Sequence, residues 1–280
     1  MKYKSPTPIA ILLATYNGEK YIGELLLSLQ QQTMSEWTLF VQDDGSDDGT
    51  VHILQNVATR DGRVIVVEPE CYVGGAMRNF MSLLERVEAD YYMFCDQDDV
   101  WLPEKIALTY GAMQRLTSER RELPIAVCTD LVVVDAGLNP ISQSFWKMSD
   151  IKAALLAGSL QMLYVHNLAT GCTLMINHAA KVCSLPLDKV AMMHDSWIVL
   201  CVAAKGGVIE ALLEQTVLYR QHAANVLGAE NHRGLGHVLA RLASLRRVFR
   251  LNMARYRLAR HFGLKSPFSY FYYKLRYAFS

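Results

Sequence analysis

Three short apolar runs, each stopped by a polar cluster, constrain what this chain can fold into more than any other feature. Residues 9–14 (IAILLA) meet Thr15-Tyr16-Asn17, residues 37–42 (WTLFVQ) meet Asp43-Asp44-Gly45-Ser46, and residues 91–95 (YYMFC) meet Asp96-Gln97-Asp98-Asp99. Runs this short and unbroken read as strands buried on both faces. Segments with helical spacing lie between them. Residues 20–32 place Tyr21, Ile22, Leu25, Leu26 and Leu29 on one face. Residues 47–59 predict a second helix with Ser46 or Asp47 as its N-cap, and residues 78–87 a third. Residues 64–67 supply another strand, and Pro103 opens a helix to about residue 116. The alternation predicts a Rossmann-like α/β fold, a mostly parallel sheet flanked by helices. Ligands of such sheets bind outside the carboxyl ends of the strands, where all three polar clusters fall.

The second half is less regular. Residues 125–134 read as one or two strands, and 145–176 as mixed structure containing a Thr170-Gly171-Cys172 turn. His194-Asp195-Ser196-Trp197 precedes an apolar helix at 198–204, and Val217-Leu218 leads into Tyr219-Arg220-Gln221-His222. With 280 residues, 51% of them hydrophobic, the chain can bury one large core and carry a small appended element.

The net charge of +1 hides an asymmetry. Residues 1–230 hold 17 basic and all 27 acidic residues, a formal −10, whereas residues 231–280 hold 11 Lys/Arg and no acid. This predicts an acidic body and a basic arm for an anionic surface. Cys71, Cys95, Cys128, Cys172, Cys183 and Cys201 show no metal or redox spacing and read as buried reduced thiols. The polar start of the chain lacks a secretory apolar region, and no stretch reaches 18 apolar residues. Together these features predict a cytoplasmic chain.

Asp96-Gln97-Asp98-Asp99 is the sharpest chemical signal. Three carboxylates in four residues repel one another unless a cation sits among them. Oxygen ligands suit Mg²⁺ or Mn²⁺, and a bound diphosphate would complete the coordination. An isolated cluster of this kind is commonly a solvated turn. Here the aromatic strand before it and Val100-Trp101-Leu102-Pro103 after it favour a site. Asp44 is placed for a contact with a nucleotide base or ribose, although the same residues make an ordinary turn. Gly74-Gly75 lets backbone approach a ligand before a helix N-terminus, and serves a plain turn equally well. Asp195 is a candidate general base, or a helix cap. His222 is a candidate metal or diphosphate ligand, or a polar loop residue.

These pieces resemble inverting glycosyltransferases of family 2 with the GT-A fold. ATYNGEKYIGELLLSLQQQT, VQDDGSDDGT, YVGGAMRNF, CDQDDVWLPEK, MMHDSW and YRQHAANVLG occur in the family order from Ile9 to Gly228. The DQDDVW and YRQH..NVLG forms are similar to bacterial rhamnosyltransferase-like members of polysaccharide and O-antigen pathways. The resemblance implies a GT-A domain at 1–230, with a nucleotide-sugar half to about residue 124 and an acceptor half at 125–230. It implies donor binding by Thr15, Tyr16, Asn17, Asp44, Gly74, Gly75 and Asp96, with Tyr16 and Asp44 on the base. Asp96, Asp98 and His222 would hold a divalent metal, Mg²⁺ or Mn²⁺, with Asp99 close by. Asp195 would be the catalytic base, and Trp101, Thr170, Gly171, His194 and Trp197 would line the acceptor side. Many members carry Glu-Asp where this chain has His194-Asp195; a His-Asp form also occurs among the rhamnosyltransferase-like members.

The implied reaction is a single displacement with inversion. A β-linked dTDP-L-rhamnose donor would give an α-rhamnoside on a glycan linked to polyprenyl diphosphate. A UDP-hexose donor and a non-catalytic nucleotide-sugar binder are the alternatives. A pyrophosphorylase would carry a Gly-rich, Arg-containing loop where Ala14-Thr15-Tyr16-Asn17 stands, and a dinucleotide-binding dehydrogenase would show GxGxxG after the first strand. The tail at 231–280 spaces Val238, Leu242, Leu245, Phe249, Met253 and Tyr256 as an amphipathic helix, with Arg241, Arg246, Arg247, Arg250, Arg255 and Arg257 around it. Phe262, Phe268, Tyr270, Phe271, Tyr272, Tyr273, Tyr277 and Phe279 follow. Basic and aromatic residues together predict attachment to the inner face of the cytoplasmic membrane, with packing on the body as the competing arrangement. No nucleic-acid motif is present, so no nucleic-acid partner is expected.

Overall fold

The structure is a computed structural model that describes residues 2–69, 74–120, 122–222 and 239–280, with 239–247 as helical backbone only. Cys71, Tyr72, Val73, the Asn225-Val226-Leu227-Gly228 motif and Val238 lie outside the described residues. So do the side chains of Arg241, Leu242, Leu245, Arg246 and Arg247.

The elements follow in the order β1 (Tyr3–Lys4), β2 (Ile9–Thr15), α1 (Ile22–Gln30), β3 (Trp37–Asp43), α2 (Thr50–Ala58), β4 (Val64–Val66), α3 (Ala76–Arg86), β5 (Val87–Glu88), β6 (Tyr91–Asp96), β7 (Val100–Trp101), α4 (Lys105–Glu119), β8 (Ile125–Val134) and β9 (Pro140–Ser142). Short helices α5 (Phe145–Met148), α6 (Ala153–Ala157) and α7 (Leu160–Leu163) lead to a 3₁₀ turn at Gly171–Thr173. Then come β10 (Met175–Asn177), α8 (His178–Ser184), α9 (His194–Ala204), β11 (Val208–Arg220), α10 (Leu239–His261) and α11 (Pro267–Ala278).

The main sheet runs β4-β3-β2-β6-β10-β8-β11-β7, with β9 on β8. Strands β2, β3, β4 and β6 are parallel, and β8 and β11 are parallel to each other. β10 and β7 run against their neighbours. β2 has no polar face: Ala10, Leu12 and Ala14 point into one apolar layer, and Ile9, Ile11 and Leu13 into the other. Register then sets the site. Thr15 lies beside Asp43 and Ala14 beside Asp96, so the loops after β2, β3 and β6 leave the sheet at one edge. β7 folds back on β11 with Leu218 beside Val100, which carries Arg220-Gln221-His222 to the same edge.

Several boundaries differ from the sequence expectation, for physical reasons. Helix α2 starts at Thr50, and Asp48 rather than Ser46 or Asp47 accepts the Thr50 backbone N–H at 2.9 Å. Ser46 and Asp47 are occupied elsewhere, the Ser46 hydroxyl on Asp43 and the Asp47 N–H on Asn17. Helix α9 begins at His194, so Asp195 is inside its first turn. β11 begins nine residues before Val217, at Val208. Glu210, Glu214 and Gln215 hide that stretch from any apolar pattern, and register shifts interrupt it between Leu212, Gln215 and Leu218. Cys95, Cys128, Cys172, Cys183 and Cys201 are free thiols, Cys183 half-buried and the others buried.

Helices α10 and α11 dock on the body. Leu258, Ala259, Leu264, Tyr270 and Tyr277 are buried, and the Phe262 ring lies 5.3 Å from that of Trp197. The Tyr164 hydroxyl donates to Phe262 O at 2.8 Å, Lys152 Nζ donates to Tyr277 O at 2.7 Å, and Arg255 donates to Val165 O at 2.9 Å. Met253 and Tyr256 of the expected stripe are half-buried, whereas Phe249 is exposed. Among the described residues no helix is long and apolar enough to cross a membrane.

Candidate active site

The site begins at the loop after β2. Tyr16 is exposed, and the Gln97 side chain pairs with its backbone. Gln97 Oε1 accepts the Tyr16 N–H at 2.9 Å, and Gln97 Nε2 donates to Tyr16 O at 2.8 Å. Only glycine permits this approach, because a Cβ on Gly18 would lie 2.6 Å from Gln97 Cδ. Asn17, in the left-handed region at φ 49°, donates its N–H to Ser46 Oγ at 2.8 Å and accepts the Asp47 N–H at 3.0 Å. The loop after β3 is thereby tied to the loop after β2.

Asp43 organises its own turn, accepting from Gly45 N, Ser46 N, the Ser46 hydroxyl and the Thr15 hydroxyl. Asp44 instead accepts the N–H groups of Gly74 at 3.3 Å and Gly75 at 2.8 Å. Both glycines have positive φ, 71° and 106°, a backbone that side chains resist. Tyr16, Asn17, Asp44, Gly74 and Gly75 therefore gather at one rim.

The Asp96–Asp99 turn forms the floor. Asp99 is fully buried; its Oδ1 accepts the Arg220 N–H at 3.1 Å, and its Oδ2 has no hydrogen-bond partner. Burial first, and then the charges of Asp96 and Asp98, hold the Asp99 carboxyl well above the usual range. Burial likewise pushes Asp96 up to about 7, helped by the charges of Asp98 and Asp195. Asp98 accepts from His222 Nε2 at 2.8 Å. The His222 ring lies 4.9 Å from that of Tyr21, which also carries the Arg220 guanidinium at 4.5 Å.

Arg220, 1% exposed, fastens this floor. It donates to Asp98 O at 2.8 Å, Ala136 O at 2.6 Å and Glu24 Oε2 at 2.8 Å. Fully buried Lys105 lies beneath, its Nζ 4.5 Å from the Trp101 ring centroid and 3.5 Å from Thr216 Oγ1. Burial lowers its ammonium to about 8, with the neighbouring thiols and Asp99 opposing.

Asp195 closes the far side. It is buried, and its carboxylate accepts the Ser196 N–H at 2.5 Å and further hydrogen bonds from Asn167 and the Gly171 N–H. Burial outweighs these bonds and raises its carboxyl to about 6. The Thr170-Gly171 turn thus lies against Asp195.

Four expected site residues lie away from the cleft surface. Thr15 is buried, with its hydroxyl on Asp43. Trp101 is buried over Lys105. Trp197 donates Nε1 to Ser184 O at 2.8 Å and packs on the C-terminal helices. His194 sits between Phe80 and Phe94, with both ring nitrogens unpartnered and its pKa lowered to about 3 by burial. Gly171 makes room for it, since a Cβ there would meet His194 Nε2 at 2.6 Å. His194, Trp101 and Trp197 support the site from within instead of facing an acceptor.

Asp96, Asp99 and Cys172 each place a ligand atom within 4.8 Å of one another. The two carboxylates suit a hard divalent cation, whereas Cys172 is a soft ligand whose thiol burial pushes well up. The Asp99 Oδ2 without a hydrogen-bond partner and the raised Asp96 mark negative charge short of a counter-ion. This trio differs from the expected Asp96, Asp98 and His222, of which Asp98 and His222 bind each other. Gln97, Arg220 and Lys105 were not anticipated as site residues.

The mixed α/β fold matches that of the GT-A glycosyltransferases. A mannosyltransferase from Pyrobaculum calidifontis, solved with GDP-Man and Mn²⁺, superposes with a TM-score of 0.59 at 15% identity over 78% of this chain and 58% of that one. Residues 10–118 match Glycosyl transferase family 2, so the chain carries a domain of that family. The dTDP-rhamnosyl transferase RfbG of Shigella flexneri is 38% identical over 34% of this chain and 34% of its own length. The UDP-Glc:alpha-D-GlcNAc-diphosphoundecaprenol beta-1,3-glucosyltransferase WfgD of Escherichia coli is 29% identical over 38% of this chain and 40% of its own. The chain thus matches little more than a third of the length of these relatives.

Proposed function

We propose that this protein is a metal-dependent inverting glycosyltransferase that moves one sugar from a nucleotide-sugar donor to a lipid-linked cell-surface glycan intermediate. The observation that carries this reading is a buried carboxylate near a carboxylate cluster. The Asp96–Asp99 floor is short of positive charge, and the charge of Asp195 adds to the burial and to the charge of Asp98 that raise Asp96. Asp195, held by three donors and titrating near 6, is ionised at neutral pH and basic enough to take a proton from an acceptor hydroxyl. The deprotonated oxygen attacks the anomeric carbon from the face opposite the nucleotide, and configuration inverts.

Tyr16, Asn17, Asp44, Gly74 and Gly75 bind the nucleotide and orient the donor. On this reading Asp96, Asp98 and His222, with Asp99 close by, would hold Mg²⁺ or Mn²⁺, which when bound would neutralise charge on the departing diphosphate. The body at 1–230 is one catalytic unit with donor and acceptor halves meeting near residue 124, and 231–280 is the tail. The name of RfbG supports dTDP-rhamnose as donor, and that of WfgD an undecaprenyl-diphosphate-linked acceptor. The site of action on this reading is the inner face of the cytoplasmic membrane. A UDP-hexose donor is the second reading, favoured by the WfgD name.

A donor screen tests this. The protein is incubated with Mn²⁺ or Mg²⁺ and a panel of nucleotide sugars, and melting temperature and slow donor hydrolysis are followed, with EDTA controls. Stabilisation by dTDP-rhamnose that EDTA abolishes is the expected result. Stabilisation by a UDP-hexose alone replaces rhamnose, and no response to any donor removes the transferase reading.

A further inference from the structure

Helix α11 is built inside out. Its buried residues are Tyr270 and Tyr277, with Tyr273 half-buried beside them. Its most apolar side chains point away from the body: Phe268 is 84% exposed and Phe279 86%, and Phe271, Tyr272 and Leu275 lie exposed between them. At helical spacing these five occupy one stripe about 100° wide. A helix whose outer face meets only water places phenols outward and Phe and Leu inward. Here two of the phenols turn inward, the Tyr277 hydroxyl donating to Asp150 O at 2.9 Å and accepting the Lys152 N–H at 3.1 Å, and the Tyr270 hydroxyl donating to Asn252 of α10 at 3.5 Å. The inward face is therefore already satisfied, and the outward stripe is a second surface.

The surroundings of the stripe identify what covers it. Arg250, Arg257, Arg260 and Arg276 are exposed on the same two helices and Lys265 in the turn between them, and no acidic residue occurs after Glu230. A symmetric contact with a second copy would bring this basic rim against itself. An anionic lipid surface neutralises the rim and takes up the apolar stripe, the combination that defines an interfacial helix. We infer that the outer face of α11 is the surface that inserts into the headgroup layer of an anionic bilayer. The inference rests on the proposed lipid-linked acceptor and deepens it. Trp197, two residues after Asp195, packs on Phe262 between α10 and α11, so a bilayer bound at α11 stands in fixed relation to the helix carrying the proposed base.

The test uses the full chain and vesicles of phosphatidylcholine alone or mixed with equal phosphatidylglycerol. The triple substitution Phe268→Ser, Phe271→Ser, Phe279→Ser changes exposed positions only, and its melting temperature and donor hydrolysis should match wild type. Wild type should cosediment with the mixed vesicles far better than with phosphatidylcholine, and the triple variant should lose at least ~100-fold in partitioning. Phe→Leu at the same three positions should restore binding. Equal binding by wild type and the triple variant overturns the inference, as does no vesicle binding by wild type. Dimers of wild type that the triple variant dissolves overturn it in favour of a second copy. Because hydrolysis is read in the same samples, vesicle binding without donor turnover would sink the transferase reading and leave the surface intact. Turnover without vesicle binding would do the reverse.

Discussion

The two sides of the cleft are held by different means. On the donor side, loop after loop is tied through individual hydrogen bonds: Gln97 to Tyr16, Asn17 to Ser46 and Asp47, Asp43 to its own turn, Asp44 to Gly74 and Gly75. On the opposite side, Asp195 belongs to a helix whose Trp197, Ile198, Val199, Leu200, Cys201 and Val202 are all buried. Bonds among loops are separable, each worth about 1 kcal/mol. A packed helix moves as a unit. Single changes on the donor side should therefore tune binding in steps, whereas on the Asp195 side chemistry should be lost while the fold stands.

Asp195→Asn is the largest test of that contrast. Transfer should fall by about 10²–10⁴-fold with metal-dependent donor stabilisation retained. The same variant should melt higher at pH 8. Folded Asp195 keeps its proton to about 6, whereas the unfolded carboxyl releases it near 3.8. Stability is thus lost as pH rises through that window, and the deficit is complete above 6. Asparagine does not titrate and escapes a cost of up to about 3 kcal/mol. A variant that loses activity and also unfolds more readily at pH 8 would make Asp195 structural. In wild type, kcat/KM should rise with pH through a limb near 6 that the variant lacks, and a profile flat from 5 to 8 would remove Asp195 as the base.

Arg220→Ala should break the contrast from the other direction, because this one side chain ties β11 to the Asp96–Asp99 floor and to α1. It leaves Asp98 O, Ala136 O and Glu24 without their donor. Glu24 is half exposed and regains water, so the cost comes from the two carbonyls left unpaired. A loss of about 2–4 kcal/mol in stability is expected, together with loss of the Mn²⁺-induced thermal shift. Arg220→Lys should not restore the shift, since an ammonium cannot reach three acceptors in a planar fork. A normal shift in a destabilised Arg220→Ala protein would confine Arg220 to folding.

How much could be read in advance follows the same division. The strand ends were legible because each is local: an apolar run, then a polar cluster whose residues need no distant partner to be recognised. Arg220 was not, because its partners Glu24, Ala136 and Asp98 come together only when β7 folds onto β11. Lys105 was hidden because a lysine after Pro103-Glu104 looks like any solvated first turn, whereas it is buried under Trp101. His194 and Trp197 flank Asp195 in sequence, but successive helical residues point about 100° apart. One neighbour therefore enters an aromatic core and the other meets the tail. Gln97 stood in plain view as the spacer between two aspartates, and its bond to the backbone of Tyr16 has no signature except Gly18.

That pair gives the smallest and cleanest test. An added Cβ at Gly18 would press on the end of the Gln97 side chain, which can swing away, so Gly18→Ala should cost the fold no more than ~1 kcal/mol. What it removes is the pair of bonds to Tyr16, and with it the fixed stance of an exposed ring proposed to hold the base. Donor affinity should fall by about 3–10-fold with kcat nearly unchanged. Gln97→Ala should do the same, and the double variant should be no worse than either single one, because both act through one contact. Additive losses would mean that Gly18 and Gln97 serve the donor separately. No loss in either would show that the ligand, once bound, orders the loop without help, and that the hydrogen-bonded side of the cleft is preorganised only in part.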